Sequence, residues 1–225
     1  SDYRIRSGIV YVLLNAVADG HIYLPEEEVL YRSRNLLEIE LLDITLPKQE
    51  LIHTEWFYTD CIAELHNVEV FSDKHFEIIE KYIRTAVKNG INMILTPLFT
   101  PEIDTYYPGE RLTTQLVKIK VSGEDKYEFD FSLAERWVKM CLEAGVEYFE
   151  IPHFYTQWGS DHAPKIIAEV DGVEKKIFGW ETDSIGGSYK KFLSQFVPAI
   201  VEFMKSLGVD KKCFFHVSDE PNPNQ

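Results

Sequence analysis

From residue 47 onward, strand-type and helix-type segments alternate along the chain, and this alternation constrains the fold more than any other feature. Leu51 to Tyr58 is rich in aromatic and β-forming residues. Ser72-Asp73 then supplies N-cap chemistry, and Phe76, Ile79, Ile83 and Val87 recur at helical spacing up to Asn89-Gly90. Ile91 to Phe99 is a nearly unbroken apolar run, the pattern of a strand buried on both faces. Ser132 opens a second helix carrying Leu133, Trp137, Met140 and Cys141, which ends at Gly145, and Val146 to Tyr155 is the next buried strand. Ser188 opens a third helix, with Phe192, Phe196, Ile200 and Phe203 on one face and Pro198 as an expected kink. Cys213 to Ser218 is the last strand, running into Asp219-Glu220-Pro221.

Two hairpins interrupt the alternation. Thr114–Val121 and Tyr127–Phe131 flank Ser122-Gly123-Glu124-Asp125, and Lys165–Val170 and Lys175–Trp180 are joined at Asp171-Gly172. Each follows a strand and precedes a helix, so both belong to the carboxyl-end face of the sheet, where α/β folds place their sites. The order implies a parallel sheet with right-handed crossovers. A complete (β/α)8 barrel needs about 250 residues and eight strands. Four barrel-type strands are read here, so the expectation is an incomplete TIM barrel: residues 47–225 form the N-terminal half of a catalytic domain. Residues 1–46 differ. Val10–Val17 and Leu36–Leu46 read as strands, which makes this segment the β-rich remnant of an N-terminal β-sandwich domain.

Composition narrows the function. Lys and Arg total 23 against 37 Asp and Glu, a formal charge of −14, which argues against a nucleic-acid partner held by clustered cations. The longest apolar run, Gly8 to Ala18 with Asn15 inside it, is far short of the roughly 20 residues of a membrane span. No signal-peptide pattern is visible, so a soluble, cytoplasmic protein is expected. Cys61, Cys141 and Cys213 are too few and too scattered for a disulfide framework or a zinc site, and read as reduced thiols. Gly186-Gly187 lacks the surroundings of a phosphate loop and reads as a turn.

The chemistry concentrates in His216-Val217-Ser218-Asp219-Glu220-Pro221. Strand alternation puts His216, Ser218 and Glu220 on one face, and Asp219 joins them only if the backbone twists before Pro221. Paired carboxylates suit glycosidic cleavage, one protonating the leaving oxygen and the other balancing positive charge on the sugar. Trp56, Tyr58, Trp158 and Trp180 fall at or beyond strand ends, as do Tyr106-Tyr107, and flat aromatic faces with polar tips suit sugar rings. Gln157, Glu181 and Asp183 stand beside the tryptophans, ready to fix hydroxyl groups. Two rival readings remain open: a non-catalytic carbohydrate-binding module, and a metal-dependent hydrolase in which His153, His162 and His216 converge with Asp219. No HxH or HExxH supports the latter.

Taken in order, five stretches resemble the catalytic domain of glycoside hydrolase family 123: Leu51-Ile52-His53-Thr54-Glu55-Trp56-Phe57, Gly90-Ile91-Asn92-Met93-Ile94-Leu95-Thr96-Pro97, Thr156-Gln157-Trp158-Gly159, Phe178-Gly179-Trp180-Glu181-Thr182-Asp183, and His216-Val217-Ser218-Asp219-Glu220-Pro221. The resemblance spans residues 40 to 221. It implies a bacterial, retaining β-N-acetylgalactosaminidase that needs no metal and no organic cofactor. In such an enzyme the 2-acetamido oxygen of the sugar attacks the anomeric carbon. By the same resemblance Asp219 orients the acetamido N–H and Glu220 is the general acid and base. Placement at or beyond strand ends makes Trp56, His153, Gln157, Trp158, Trp180, Glu181 and His216 the candidate binding residues for a carbohydrate substrate, one containing N-acetylgalactosamine by the resemblance. The chain stops five residues after Glu220, so the fragment is expected to be inactive by itself.

Overall fold

A computed structural model describes residues 2–38 and 49–217. Two four-stranded sheets organise the larger segment. The first is wholly parallel and holds β1 (Thr54–Glu55), β2 (Met93–Leu95), β5 (Tyr148–Ile151) and β8 (Cys213–Phe215), in the order β1-β2-β5-β8. The strands therefore lie side by side in chain order, as the alternation predicts. The regular part of β1 is much shorter than the run Leu51–Tyr58, because Thr59–His66 turns into a short helix, α3, that the sequence reading missed.

Helices α4 (Asp73–Lys88) and α5 (Ser132–Ala144) pack against each other and share the core with this sheet. On α4, Phe76, Ile79 and Ile83 are buried one turn apart, while Glu77–Lys81 and Glu80–Arg84 pair at i,i+4 on the solvent side. Ser72 caps α4 by accepting the His75 N–H at 3.2 Å. On α5 the fully buried Trp137 is the largest side chain of a core that also holds Ile79, Ile83, Ile94 and Phe149. The N-cap position of α5 is Phe131, not Ser132, and carries no side-chain cap; just before it, Asp130 accepts the Ser132 N–H at 2.8 Å.

The second sheet consists entirely of the two hairpins that leave the carboxyl ends of β2 and β5. β3 (Lys118–Gly123) and β4 (Lys126–Asp130) form one; β6 (Ile166–Val170) and β7 (Val173–Phe178) form the other. β3 and β6 pair in parallel, giving the order β4-β3-β6-β7. Helix α6 (Gly187–Ser206) seals one face of this sheet with an aromatic layer. Phe192 and Phe196 stack one turn apart, and Tyr127, Phe129 and Phe178 meet them from the strands. Gln195 fastens the helix to the β3–β4 turn, accepting the Tyr127 N–H and donating to the Asp125 carbonyl. Helix α6 runs straight on in sequence through Pro198.

The N-terminal segment is a correction. Val10–Val17 lies within helix α1 (Asp2–Ala18), which pairs with α2 (Glu26–Leu37) in a helical hairpin, and not in a strand. Residues 39–46 of the expected second strand lie outside the described residues. An apolar run with no alternation fits either structure, and its length favours a helix. Gly8, Val12 and Ala16 are buried at four-residue intervals, as are Val29, Ser33 and Leu37 on the partner. The two helices approach so closely that a Cβ on Gly8 would sit 2.7 Å from Leu37 Cδ1.

Candidate active site

The centre of the site is Glu150, which the sequence reading did not single out. It lies in β5 with its side chain only 6% exposed. Burying a carboxylate demands hydrogen-bonding partners, and three elements supply them. Thr54 on β1 donates its hydroxyl to Oε2 at 2.7 Å. Trp56, just beyond β1, donates its indole N–H to Oε1 at 3.3 Å. His216, just beyond β8, places Nδ1 2.8 Å from the same oxygen. A backbone bond from the His216 N–H to the Ile151 carbonyl extends the β5–β8 pairing and fixes the histidine at the strand end. A carboxylate opposite Nδ1 favours the ring proton on that nitrogen.

Around this carboxylate the rings close in. His153 packs on His216 with centroids 3.9 Å apart, and Trp56 meets His153 edge-on at 6.1 Å. The ring cluster so formed unites Trp56, His153 and His216. Asp219 and Glu220, which continue the chain from His216, lie outside the described residues.

The remaining candidates gather elsewhere, on the loops. Trp158 stacks face to face on Tyr106, with centroids 4.4 Å apart and ring planes 20° apart. Gln157 accepts the Asp104 N–H at 2.8 Å through Oε1, binding the loop after β5 to the loop after β2. Tyr58 donates its hydroxyl to Asp104 at 3.2 Å; burial, helped by that carboxylate, pushes the phenol up to about 12. Trp180 donates its indole N–H to the Gly109 carbonyl at 2.8 Å and stands edge-on to Tyr107 and near His162. Glu181 is exposed and pairs with Lys176 at 3.5 Å. His162 thus lies with Trp180 rather than with the His153–His216 pair. Among the described residues no group of three His, Cys, Asp or Glu side chains is placed to hold a metal ion.

The long connection between β2 and β3 is fastened from below. Arg111 forks onto Asp60 of α3 at 2.8 and 3.1 Å, donates to the Ile103 carbonyl, and lies 4.4 Å from the centre of the Tyr58 ring. Beside it Glu102 is buried, accepting the Lys165 N–H at 3.3 Å through Oε1, while Oε2 finds no partner. Burial pushes this carboxyl up to about 7, against the pull of that N–H and of Lys165. A separate open groove of about 1150 Å3 runs along the second sheet, lined by Phe71, Val117, Ile119, Phe129 and Leu133, and contains none of the site residues.

A parallel sheet whose strand ends deliver a buried carboxylate, two histidines and a ring of aromatics defines an α/β protein with its polar site on the strand-end loops. The model of the glycoside hydrolase 123 catalytic domain matches residues 56–225, and the chain belongs to that family. No curated protein matches the chain. A solved structure with a similar fold is a family 123 glycoside hydrolase from Clostridium perfringens, described in terms of glycolipid glycan hydrolysis. The TM-score is 0.54 at 14% identity, over 73% of this chain and 28% of the other. The chain thus spans little more than a quarter of that neighbour's length. Among the described residues no helix is long and apolar enough to cross a membrane.

Proposed function

We propose that this domain hydrolyses terminal N-acetyl-β-D-galactosaminides with retention of configuration, the sugar's own acetamido group serving as the nucleophile. The observation that carries the reading is the match to the family's catalytic domain over a segment containing Trp56, Glu150, His153, His216, Asp219 and Glu220. In this scheme Glu220 protonates the departing oxygen and later takes a proton from the incoming water. Asp219 holds the acetamido N–H and balances the charge of the oxazolinium ring that forms. The glycone then lies in the pocket of Trp56, His153 and His216, and Gln157, Trp158, Trp180 and Glu181 contribute from the loops. Carbohydrate is the partner; no step requires a metal or an organic cofactor. The parallel sheet is read as the first half of a (β/α)8 barrel, with residues 47–225 contributing that half.

The test uses the full-length protein that carries this domain. Glu220→Gln should lose much of the 10²–10⁴-fold that general acid catalysis supplies, and least for substrates with good leaving groups. Asp219→Asn should slow even those substrates, since the amide cannot balance the ring charge. An unchanged rate in both variants would falsify the assignment.

A further inference from the structure

We propose that the outer face of helix α1 is a self-association surface: two copies of this chain pair through it, antiparallel, about a two-fold axis at Val10. The face belongs to the N-terminal hairpin, ahead of the residues 56–225 that the catalytic-domain model matches, and owes nothing to the glycosidase reading.

Composition is the first argument. Between residues 8 and 18 the polar side chains of α1 are Tyr11 and Asn15 alone. A helix that is apolar on every side is normally enclosed on every side. Helix α2 covers one side only, where Gly8, Val12 and Ala16 are buried. On the opposite side Tyr3, Val10, Leu14 and Val17 remain 81%, 54%, 63% and 65% exposed. With Ser7 between Tyr3 and Val10, these residues recur at alternating intervals of four and three, the spacing of a seam that seats another helix. The hairpin also needs a brace. Residues 2–37 fall short of the roughly 40 below which a unit usually requires oligomerisation or a covalent or metal staple, and they contain no cysteine.

Fit to a copy of itself is the second. In an antiparallel pair centred on Val10, Tyr3 faces Val17 of the second copy and Ser7 faces its Leu14, a large side chain against a small one each time. The two helix dipoles then run in opposite directions. A parallel pair sets Tyr3 on Tyr3 and Leu14 on Leu14, and leaves a gap at Ser7. An open hollow of about 530 Å3, lined by Tyr3, Ser7, Tyr11 and Leu36, lies at the end of the hairpin that Leu14 and Val17 of the second copy reach in the antiparallel arrangement.

Area and charge supply the third. The stripe and the flanking Leu13, 40% exposed, offer roughly 500 Å2 a copy, hence about 1,000 Å2 for the pair, the size at which a specific interface begins. A formal charge of −14 sets two copies against each other over much of their surface. No residue of the stripe is charged, whereas α2 turns Glu26, Glu27 and Arg34 to solvent. The neutral face of α1 is therefore where two copies can meet.

The test is sedimentation velocity of the full chain from about 1 to about 200 μM. The 26.2 kDa chain should pass from monomer to dimer with a midpoint on the order of 10 μM. Val10→Ser with Leu14→Ser, and Val10→Glu with Leu14→Glu, should each raise that midpoint at least about tenfold. Both positions are more than half exposed, so the far-UV spectrum and the thermal melt at low concentration should hold. Leu142→Ser, at an exposed position of α5, should leave the midpoint unchanged. Register is read by cross-linking in a Cys61→Ser chain with an added oxidant. Val10→Cys should give a covalent dimer, and Tyr3→Cys should not, since antiparallel pairing holds its two copies about 20 Å apart. A monomer at every concentration, a dimer indifferent to both stripe variants, or cross-linking at residue 3 but not at residue 10 would overturn the assignment.

Discussion

The Glu150 cluster at the strand ends and the Tyr106–Trp158 stack on the loops are built by opposite means. In the first, a buried carboxylate is satisfied by its neighbours, with Glu150 accepting from Thr54, Trp56 and His216. In the Tyr106–Trp158 stack, apolar rings are left largely in water and meet each other, while hydrogen bonds fix the backbone of the loops that carry them. The cluster therefore couples stability to function, since each partner removed leaves a buried donor or acceptor unpaired. The stack contributes less to stability, since exposed rings bury little surface on folding. This difference ranks the expected effects of substitutions.

The largest effect should come from Glu150→Ala. It strands the Trp56 N–H and releases His216, and should destabilise the chain by about 3 kcal/mol or more, judged by the urea midpoint. In the full-length protein it should also reduce kcat/KM by over about 100-fold. Glu150→Gln keeps the volume but presents an amide where two donors converge, and should be intermediate. If both variants matched the parent in stability and rate, the pocket would lose its organising carboxylate.

Glu102→Gln probes the boundary between the two regions. The folded carboxyl is raised to about 7 from an ordinary 4.5, so the folded state binds more protons than the unfolded one between those values. Stability from this group is full below the unfolded value and is lost as pH rises through about 7. The glutamine variant should therefore be more stable than the parent above pH 7, by at most about 3 kcal/mol, and the two should converge at low pH. Thermal melts across this range give the difference directly, and a constant difference between the two proteins would contradict the burial of that carboxyl.

Arg111→Lys sharpens the comparison from the loop side. A lysine cannot fork onto Asp60 and bond the Ile103 carbonyl together, so about 1–2 kcal/mol should be lost, read from the urea midpoint. Smallest should be Tyr106→Ala, which should leave the unfolding free energy within about 0.5 kcal/mol. A large loss there would make Tyr106 a structural residue.

Much of the frame was legible because its signals are local. The Phe76–Ile79–Ile83 spacing, the Ser72 cap and the Ile91–Phe99 run each identify their element without reference to the rest. The N-terminal run was misread for the same reason: Gly8–Ala18 carries no alternation, and only contact with Val29 and Leu37 shows which residues it buries. The merging of two hairpins into one sheet was also invisible, since the β3–β6 pairing joins segments far apart in the chain. Glu150 left a signal that was overlooked. It is a carboxylate inside the apolar run Val146–Tyr155, where a charge is costly unless partners converge on it. Tyr106 and Trp158 were each visible as strand-end aromatics, but their stacking depends on how two loops meet.

The central claim is that the substrate supplies its own nucleophile. It is tested most directly by comparing kcat/KM for an aryl N-acetyl-β-galactosaminide and the matching aryl β-galactoside, with the full-length protein that carries this domain. The account predicts turnover of the acetamido substrate and little or none of the galactoside, a ratio above about 100. Equal rates for the two would contradict it and require a nucleophile from the protein.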